Sequence, residues 1–519
     1  MMENTLAYIL PEPMGFASLL SGLSERYSVH QGGLMVETVC YLDTFDWRLY
    51  DKGLICRRHG NNVYTLTDFF GEHQIEEEGP ASKKLFAQDF AGGALGEKLI
   101  AVAGIRALLP LAEIRRESLS FQIVNRDQKK VLSGSLESNY VLISPEEQKT
   151  RPASLGGSLR LRGVRGYDKI FVKVAELMQS QGLEPGCSEE RVLRLALAAQ
   201  GKNPQDYCSQ FSVILDPAET NVHAAQKIFM HLLQGMQRNV PGVIEDIDTE
   251  FLHDFRVALR RTRSLLGSMK KVMLPADIAH FQQGFKKIGT FTGPVRDLDV
   301  YLLGKNAYQS MLPEGLQEGL AVFFQGLARQ RARELQRLRK ALHSSYFQDV
   351  MTQWQEYVNN ALLPSALAAG QEPCKEVAIK AIKKRLRSIL RSGALIGPQS
   401  PDTELHSLRI QAKKLRYLLE FYRSLFPEAE MDILLKSLKR LQDNLGNFND
   451  LSVQQKMLGQ YQDELAVKGQ KNAIKVASAL GGLITHLHEE QTAVRYKFEQ
   501  TFEQFTTAEN RRLFDLLFQ

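Results

Sequence analysis

One segment of this chain occurs twice, and that repetition limits the possible folds more than any other feature of the sequence. Leu252-His253-Asp254-Phe255-Arg256, continuing to Arg260-Arg261-Thr262-Arg263, returns as Leu405-His406-Ser407-Leu408-Arg409, continuing to Lys413-Lys414-Leu415-Arg416. The offset is 153 residues throughout. The same offset carries Gly293-Pro294-Val295-Arg296-Asp297 onto Gly446-Asn447-Phe448-Asn449-Asp450, Lys286-Lys287 onto Lys439-Arg440, Lys227 onto Lys380 and Arg238 onto Arg391. Such a register requires two copies of one structural unit. Past about residue 303 the register fades, so the last helix of each copy is expected to differ.

Both copies have helical periodicity. With His253 as the origin at about 100° per residue, Arg256, Arg260, Arg261 and Arg263 fall at roughly 300°, 340°, 80° and 280°. Phe255, Ala258, Leu265 and Leu266 fill the opposite arc, as Leu408, Leu415, Leu418 and Leu419 do in the second copy. Each helix is therefore amphipathic, with a cationic stripe set apart from its core stripe. No acid stands between Arg256 and Lys271 or between Arg409 and Arg416. Like charges at i,i+3 and i,i+4 repel by a few tenths of a kcal/mol per pair, so the stripes point to an anionic ligand. A cation site at His253 and His406 is disfavoured, because each histidine has basic neighbours on its own face. No metal, cofactor or catalytic residue is assigned.

The charge is unevenly distributed. Residues 1–212 hold 24 Lys/Arg against 26 Asp/Glu, and the remainder 41 against 33. Length suggests two or three domains, and the pattern along the chain reads as an α+β protein of two, with a boundary between 205 and 215. Residues 215–519 read as all-α, two units of about four helices, with breaks at Pro241-Gly242, Gly293-Pro294 and Leu445-Gly446 among others. Residues 1–205 read as an antiparallel β domain, with strands at Val36–Leu42, Gly53–Arg57, Val63–Asp68, Leu119–Asn125, Val131–Ser138, Tyr140–Ile143 and Leu159–Arg162. Helices are expected at Lys98–Ala112, Phe171–Gln181 and Ser188–Ala199, and Glu76-Glu77-Glu78 as a solvated turn. The five scattered cysteines form no C-x-x-C pair, which suits a reducing compartment. The apolar runs are too short for a membrane span and the start shows no secretory pattern, so a cytoplasmic location is expected.

Two resemblances add to this reading. Tyr41-Leu42-Asp43-Thr44-Phe45-Asp46-Trp47-Arg48-Leu49, Gly53-Leu54-Ile55-Cys56-Arg57 and Arg165-Gly166-Tyr167-Asp168 resemble the CYTH family of triphosphate tunnel enzymes, which are antiparallel barrels. The family's opening Glu-x-Glu-x-Lys is here Glu3-Asn4-Thr5-Leu6-Ala7, and its second arginine and a lysine fall at His59 and Thr67. Its late glutamate strand reads Ser158-Leu159-Arg160-Leu161-Arg162. Hard divalent ions need carboxylate oxygens, so the barrel is expected to be a degenerate one that has lost metal-dependent triphosphatase chemistry.

The duplicated segments, with Arg296-Asp297-Leu298-Asp299-Val300 and Asn449-Asp450, resemble the CHAD family over residues 215–519. That resemblance implies two four-helix units about a pseudo-two-fold axis and binding of inorganic polyphosphate in a basic groove, with an association with polyphosphate granules. The candidate polyphosphate-binding residues on the basic helices and their repeat partners are Lys227, His253, Arg256, Arg260, Arg261, Arg263, Lys287, Lys380, Lys384, His406, Arg409, Lys413, Lys414, Arg416, Lys439 and Arg440. The alternatives are a metal-dependent inorganic triphosphatase acting through the barrel, a nucleic-acid-binding protein and a helical scaffold. Nucleic acid is disfavoured because no aromatic residue is placed on the basic faces, and no membrane partner is expected.

Overall fold

The computed structural model describes residues 5–10, 15–60, 62–69, 71, 73–82, 84–142, 153–186, 188–468 and 472–519. The chain divides into two compact units, 1–209 and 210–519.

The first unit contains β1 (Thr5–Leu10), α1 (Phe16–Ser24), β2 (Ser28–Asp43), β3 (Leu54–His59), β4 (Val63–Asp68), β5 (Ile75–Glu78), β6 (Leu85–Phe86), α2 (Ala94–Ala103), β7 (Ala107–Val124), β8 (Lys130–Leu142), β9 (Ser154–Gly163), α3 (Asp168–Ser180), β10 (Glu184–Pro185) and α4 (Ser188–Ala198). The strands form one antiparallel sheet in the order β10-β1-β9-β8-β7-β2-β3-β4-β5, with β6 on β7. Among the described residues its two ends do not pair, so the sheet curves around a cavity without closing.

The core lies where the strand alternation turns inward. Phe121, Leu132, Leu136, Leu159 and Leu161 pack with Leu19, Leu20 and Leu23 of α1 and Val174 and Met178 of α3. Val39, Tyr41 and Ile114 pack on Val192, Leu193, Ala196 and Leu197 of α4. Asp43 organises the loop after β2: its carboxylate accepts from the amides of Thr44 (2.6 Å), Leu49 (2.9 Å) and Tyr50 (2.9 Å). Burial pushes this carboxyl up to about 7 against those bonds.

Three expectations for this unit need correction. The helix expected at Lys98–Ala112 ends at Ala103, because Gly104 turns the chain at φ 63° and β7 takes over. Glu76-Glu77-Glu78 is part of strand β5, paired to β4. Glu77 also accepts the Leu95 amide at the start of α2 (3.1 Å). The two strands expected at 131–143 are one, β8, whose described span stops at Leu142; Ile143, Glu3 and Cys187 lie outside the described residues. Cys40, Cys56 and Cys374 are buried free thiols and Cys208 is exposed.

The second unit is helical: α5 (Asn221–Glu245), α6 (Thr249–Ser268), α7 (Pro275–Leu303), α8 (Lys305–Ser310), α9 (Glu314–Leu342), α10 (Ser345–Glu356), α11 (Cys374–Ala394), α12 (Asp402–Phe421), α13 (Glu428–Lys468), α14 (Ala473–Tyr496), α15 (Phe498–Phe505) and α16 (Ala508–Leu517). Helices α5–α7 and α11–α13 are the repeated elements. Their symmetry is visible in backbone hydrogen bonds. The Asn221 amide donates to Glu372 (2.8 Å) and the Cys374 amide donates to Glu219 (2.9 Å). Residues 221 and 374, like 219 and 372, are repeat partners, and Thr220 bridges its own partner Pro373. Reciprocal pairing of equivalents is the signature of a two-fold relation.

Pro241, Pro294 and Gly446 do not break the helices as expected; each lies inside one. A proline removes a single donor, and the packing of long apolar faces outweighs that loss here. Helix α13 runs to Lys468, whereas α7 ends at Leu303, the equivalent of residue 456, which accounts for the fading register. No described helix is long and apolar enough to cross a membrane.

Helices α9 and α14 meet at Gly319, where an added Cβ would lie 2.2 Å from the Lys475 carbonyl oxygen. Alanine there gains up to about 1 kcal/mol in helix propensity but overpacks against backbone, at a cost of about 1–3 kcal/mol. Gly319→Ala is therefore expected to lower the urea midpoint. Gly459→Ala, at a mid-helix position with open space around it, is expected to raise the unfolding free energy by about 0.4–1 kcal/mol and the urea midpoint with it.

Candidate functional site

The basic helices are built as their pattern requires. Helix α6 starts at Asp248, whose carboxylate accepts from the Glu250 (2.9 Å) and Phe251 (3.2 Å) amides. It buries Phe251, Leu252, Phe255, Ala258, Leu259, Leu265 and Leu266. Helix α12 buries Leu405, Leu408, Ala412, Leu415 and Leu419. The opposite faces of these helices, with α7 and α11, line a groove of about 880 Å³. Its cations are Arg260, Arg263, Lys286, Arg385, Lys413 and Lys414, and no acid lines it.

Most of the other basic residues of the pattern are engaged elsewhere. Glu420 accepts from Arg261 Nη2 (2.6 Å) and from Arg416 Nε (2.6 Å), so one carboxylate ties the two repeats together. Arg416 also donates to Gln442 (3.3 Å). Arg409 pairs with Asp450 (3.0 Å), and His406 meets Asn449 (2.7 Å). Arg256 is half-buried against α7, where Nη1 donates to Thr292 Oγ1 (2.9 Å) and the Gly289 carbonyl (3.2 Å). His253 is half-buried on α6. Lys227 pairs with Glu219 (2.6 Å), and Lys380 with Glu372 (3.1 Å) and Glu376 (3.7 Å). The Lys287 ammonium sits 3.7 Å from the centre of the Tyr346 ring. Lys384, Lys439 and Arg440 are exposed on α11 and α13 and do not line this groove.

The stripes are thus less bare than local spacing suggests, because Glu420 and Asp450 neutralise part of them. The repeats divide the work in opposite ways. In the first, position 261 is paired and 263 lines the groove; in the second, position 414 lines it and 416 is paired. Aromatic residues are also present, contrary to expectation: Tyr417 lines the groove, and Arg261 lies 5.7 Å from the centre of the Phe211 ring. Arg385 is missing from the pattern because α11 carries no repeated basic motif at that position.

Crowding of like charge shows in Lys413. Burial, with the charges of Arg409 and Arg260, brings its ammonium down to about 8, and Asp450 opposes the shift. Arg256 is pulled down in the same sense by burial and by Arg260. The groove thus holds like charges together under partial desolvation, which disfavours their charged forms.

A duplicated helical unit with a cationic groove and a separate antiparallel sheet unit define the class of this chain. Residues 227–459 match the family model of the CHAD domain, so the helical unit carries a CHAD domain. Several solved structures are similar to parts of the chain, three of them as follows. The CHAD domain of the plant Ricinus communis is 26% identical and covers 56% of this chain and 96% of its own, with a TM-score of 0.47. PptA from Streptomyces chartreusis is 16% identical over 55% of this chain and 100% of its own, with a TM-score of 0.42. The adenylyl cyclase HpAC1 from Hippeastrum, described by its dominant triphosphatase activity, is 14% identical over 40% of this chain and 100% of its own, with a TM-score of 0.25. No curated protein matches the chain.

Replacing Glu420 by Gln removes the charge shared by Arg261 and Arg416 and turns one of the two acceptor oxygens into a donor. Hydrogen bonds to charged groups contribute about 1.5–3 kcal/mol, so Glu420→Gln is expected to lower unfolding free energy by that amount in urea. The freed guanidiniums are expected to tighten binding of an added polyanion. An unchanged urea midpoint would show that the bridge contributes nothing to the fold.

Proposed function

We propose that the chain binds inorganic polyphosphate along the groove between α6 and α12. The observation that carries this reading is the convergence of six cations from four helices with no acid among the lining residues. Arginine presents planar donor pairs to phosphate oxygens and lysine a compact charge. A flexible polymer with about one charge per unit matches a groove better than a single nest. The CHAD domain assigned above supports the same ligand through the family resemblance of its basic helices. Arg260, Arg263, Lys413 and Lys414 are proposed as direct contacts, joined by Lys286 and Arg385. Arg256, Arg261, Arg409 and Arg416 are proposed to hold the groove walls and set its potential. A place in the cytoplasm near polyphosphate granules belongs to this proposal.

Tyr417 favours a second reading, single-stranded nucleic acid, since an aromatic beside cations can stack a base. The two separate in competition. Long-chain polyphosphate is expected to displace a labelled oligothymidylate at equal phosphate concentration, and Tyr417→Leu is expected to leave polyphosphate binding unchanged. Displacement in the opposite order would sink the polyphosphate reading.

Arg260→Ala, Lys413→Ala and Lys414→Ala together are expected to weaken polyphosphate binding by at least about 100-fold, since each charge-assisted contact contributes roughly 1.5–3 kcal/mol. The slope of log affinity against log salt is expected to flatten in the same variant, by roughly 0.7–0.9 per lost contact if counterion release follows nucleic acids. Calorimetry over a salt series measures both.

A pH dependence follows from Lys413. The polyanion favours the protonated lysine, so binding takes up a proton where the free groove has lost it. Affinity is expected to be full below about pH 8 and to fall as pH rises through 8. Lys413→Arg, always charged, is expected to remove that step between pH 7 and 9.

A further inference from the structure

The sheet unit holds a cavity of about 550 Å³ whose lining includes Arg57, Arg116, Arg160 and Arg162. Into it α4 inserts Glu189, which is 2% exposed. One Glu189 oxygen, Oε1, lies 2.6 Å from Arg57 Nη1, 3.3 Å from Arg116 Nη1 and 3.7 Å from Arg160 Nη2. The other, Oε2, lies 3.2 Å from Arg116 Nη2 and accepts from the Tyr41 hydroxyl at 3.3 Å. Three guanidiniums and a phenol around one carboxylate form the donor set that a bound oxyanion would require.

The donors outnumber the acceptor. Arg57 is 5% exposed, yet its Nε has no partner, and neither has the Nδ2 of Asn139, the residue that accepts from Arg116 Nε at 2.9 Å. Of the three other acids in the lining, Glu37 is taken by His59 (2.8 Å), Glu76 accepts from Gln74 Nε2 (2.9 Å) and Glu137 stands 3.8 Å from Arg116. Burial alone would raise the Glu189 carboxyl, but the charges of Arg116, Arg57 and Arg160 hold it well below the usual carboxylate range. Glu189 is therefore an anion throughout the neutral range.

A structural counter-ion for two strands would need only one arginine partner. Here the carboxylate arrives on a separate helix, fixed by Val192, Leu193, Ala196 and Leu197 in the core, and reaches arginines from β3, β7 and β9. We infer that Glu189 is a tethered stand-in for a phosphoryl oxyanion, and that its side chain keeps the arginine-lined cavity of the sheet unit closed to free phosphate ligands.

The test uses the full chain with Arg260→Ala, Lys413→Ala and Lys414→Ala, titrated with inorganic tripolyphosphate by calorimetry, with and without Glu189→Gln. Glu189→Gln is expected to create or tighten binding by at least roughly tenfold, at one tripolyphosphate per chain, and to make the melting temperature rise with tripolyphosphate. The rise is the readout that a merely structural acid would not produce. Equal binding with and without Glu189→Gln, in chains that both fold, would overturn the inference. Should Glu189→Gln not fold, Glu189→Asp decides, because it keeps the charge but withdraws the carboxylate by one carbon. An intermediate gain supports the stand-in, and no gain refutes it. Both arms share one groove background, so failure of the groove reading would show in that background alone.

Discussion

Glu420 is the contact that ties the two basic helices of the helical unit together. Cationic faces brought side by side repel, and this carboxylate offsets part of that repulsion by taking Arg261 from one repeat and Arg416 from the other. At roughly 13–14% exposure for Arg261 and Glu420, water screens the pair only in part, so it counts for more than a surface ion pair. It neutralises the charges nearest the seam and leaves Arg260, Arg263, Lys413 and Lys414 facing open space. The groove is what remains positive after the seam has been closed.

The two-fold relation makes this economical in residues. The Asn221–Glu372 and Cys374–Glu219 backbone pairs fix the starts of α5 and α11 against each other, and the basic helices that follow are brought together as equivalents. The sheet unit uses the same chemistry at greater depth. Glu189 meets three arginines under nearly complete burial. A carboxylate among arginines thus serves as a tie between repeats in one unit and as a plug in the other.

Much of this was legible in the sequence, and some of the rest should have been. The repeat offset and the apolar arcs of α6 and α12 are directly visible, because a 3.6-residue period survives tertiary packing. So are β4 and α4. Glu420 and Tyr417 are also legible: counted from His406, they fall at roughly 320° and 20° on the basic face, just past Arg416 where the repeated basic motif ends. Asp450, which sits on another helix, was not reachable by local spacing. Pro241, Pro294 and Gly446 misled because breaker residues report a local cost, and long buried faces can absorb it. Glu189 could be read only as a first-turn acid of α4; nothing in the sequence says that three strands send arginines to it.

The repeat partner of Glu420 is Gly267, which lines the groove with no side chain at all. Duplication would give a groove whose two ends are alike, and inorganic polyphosphate is itself a polymer without direction. The glycine breaks that equivalence: position 420 carries a carboxylate that holds two arginines, whereas position 267 carries only backbone. The backbone of the helical unit is therefore more symmetric than its charge.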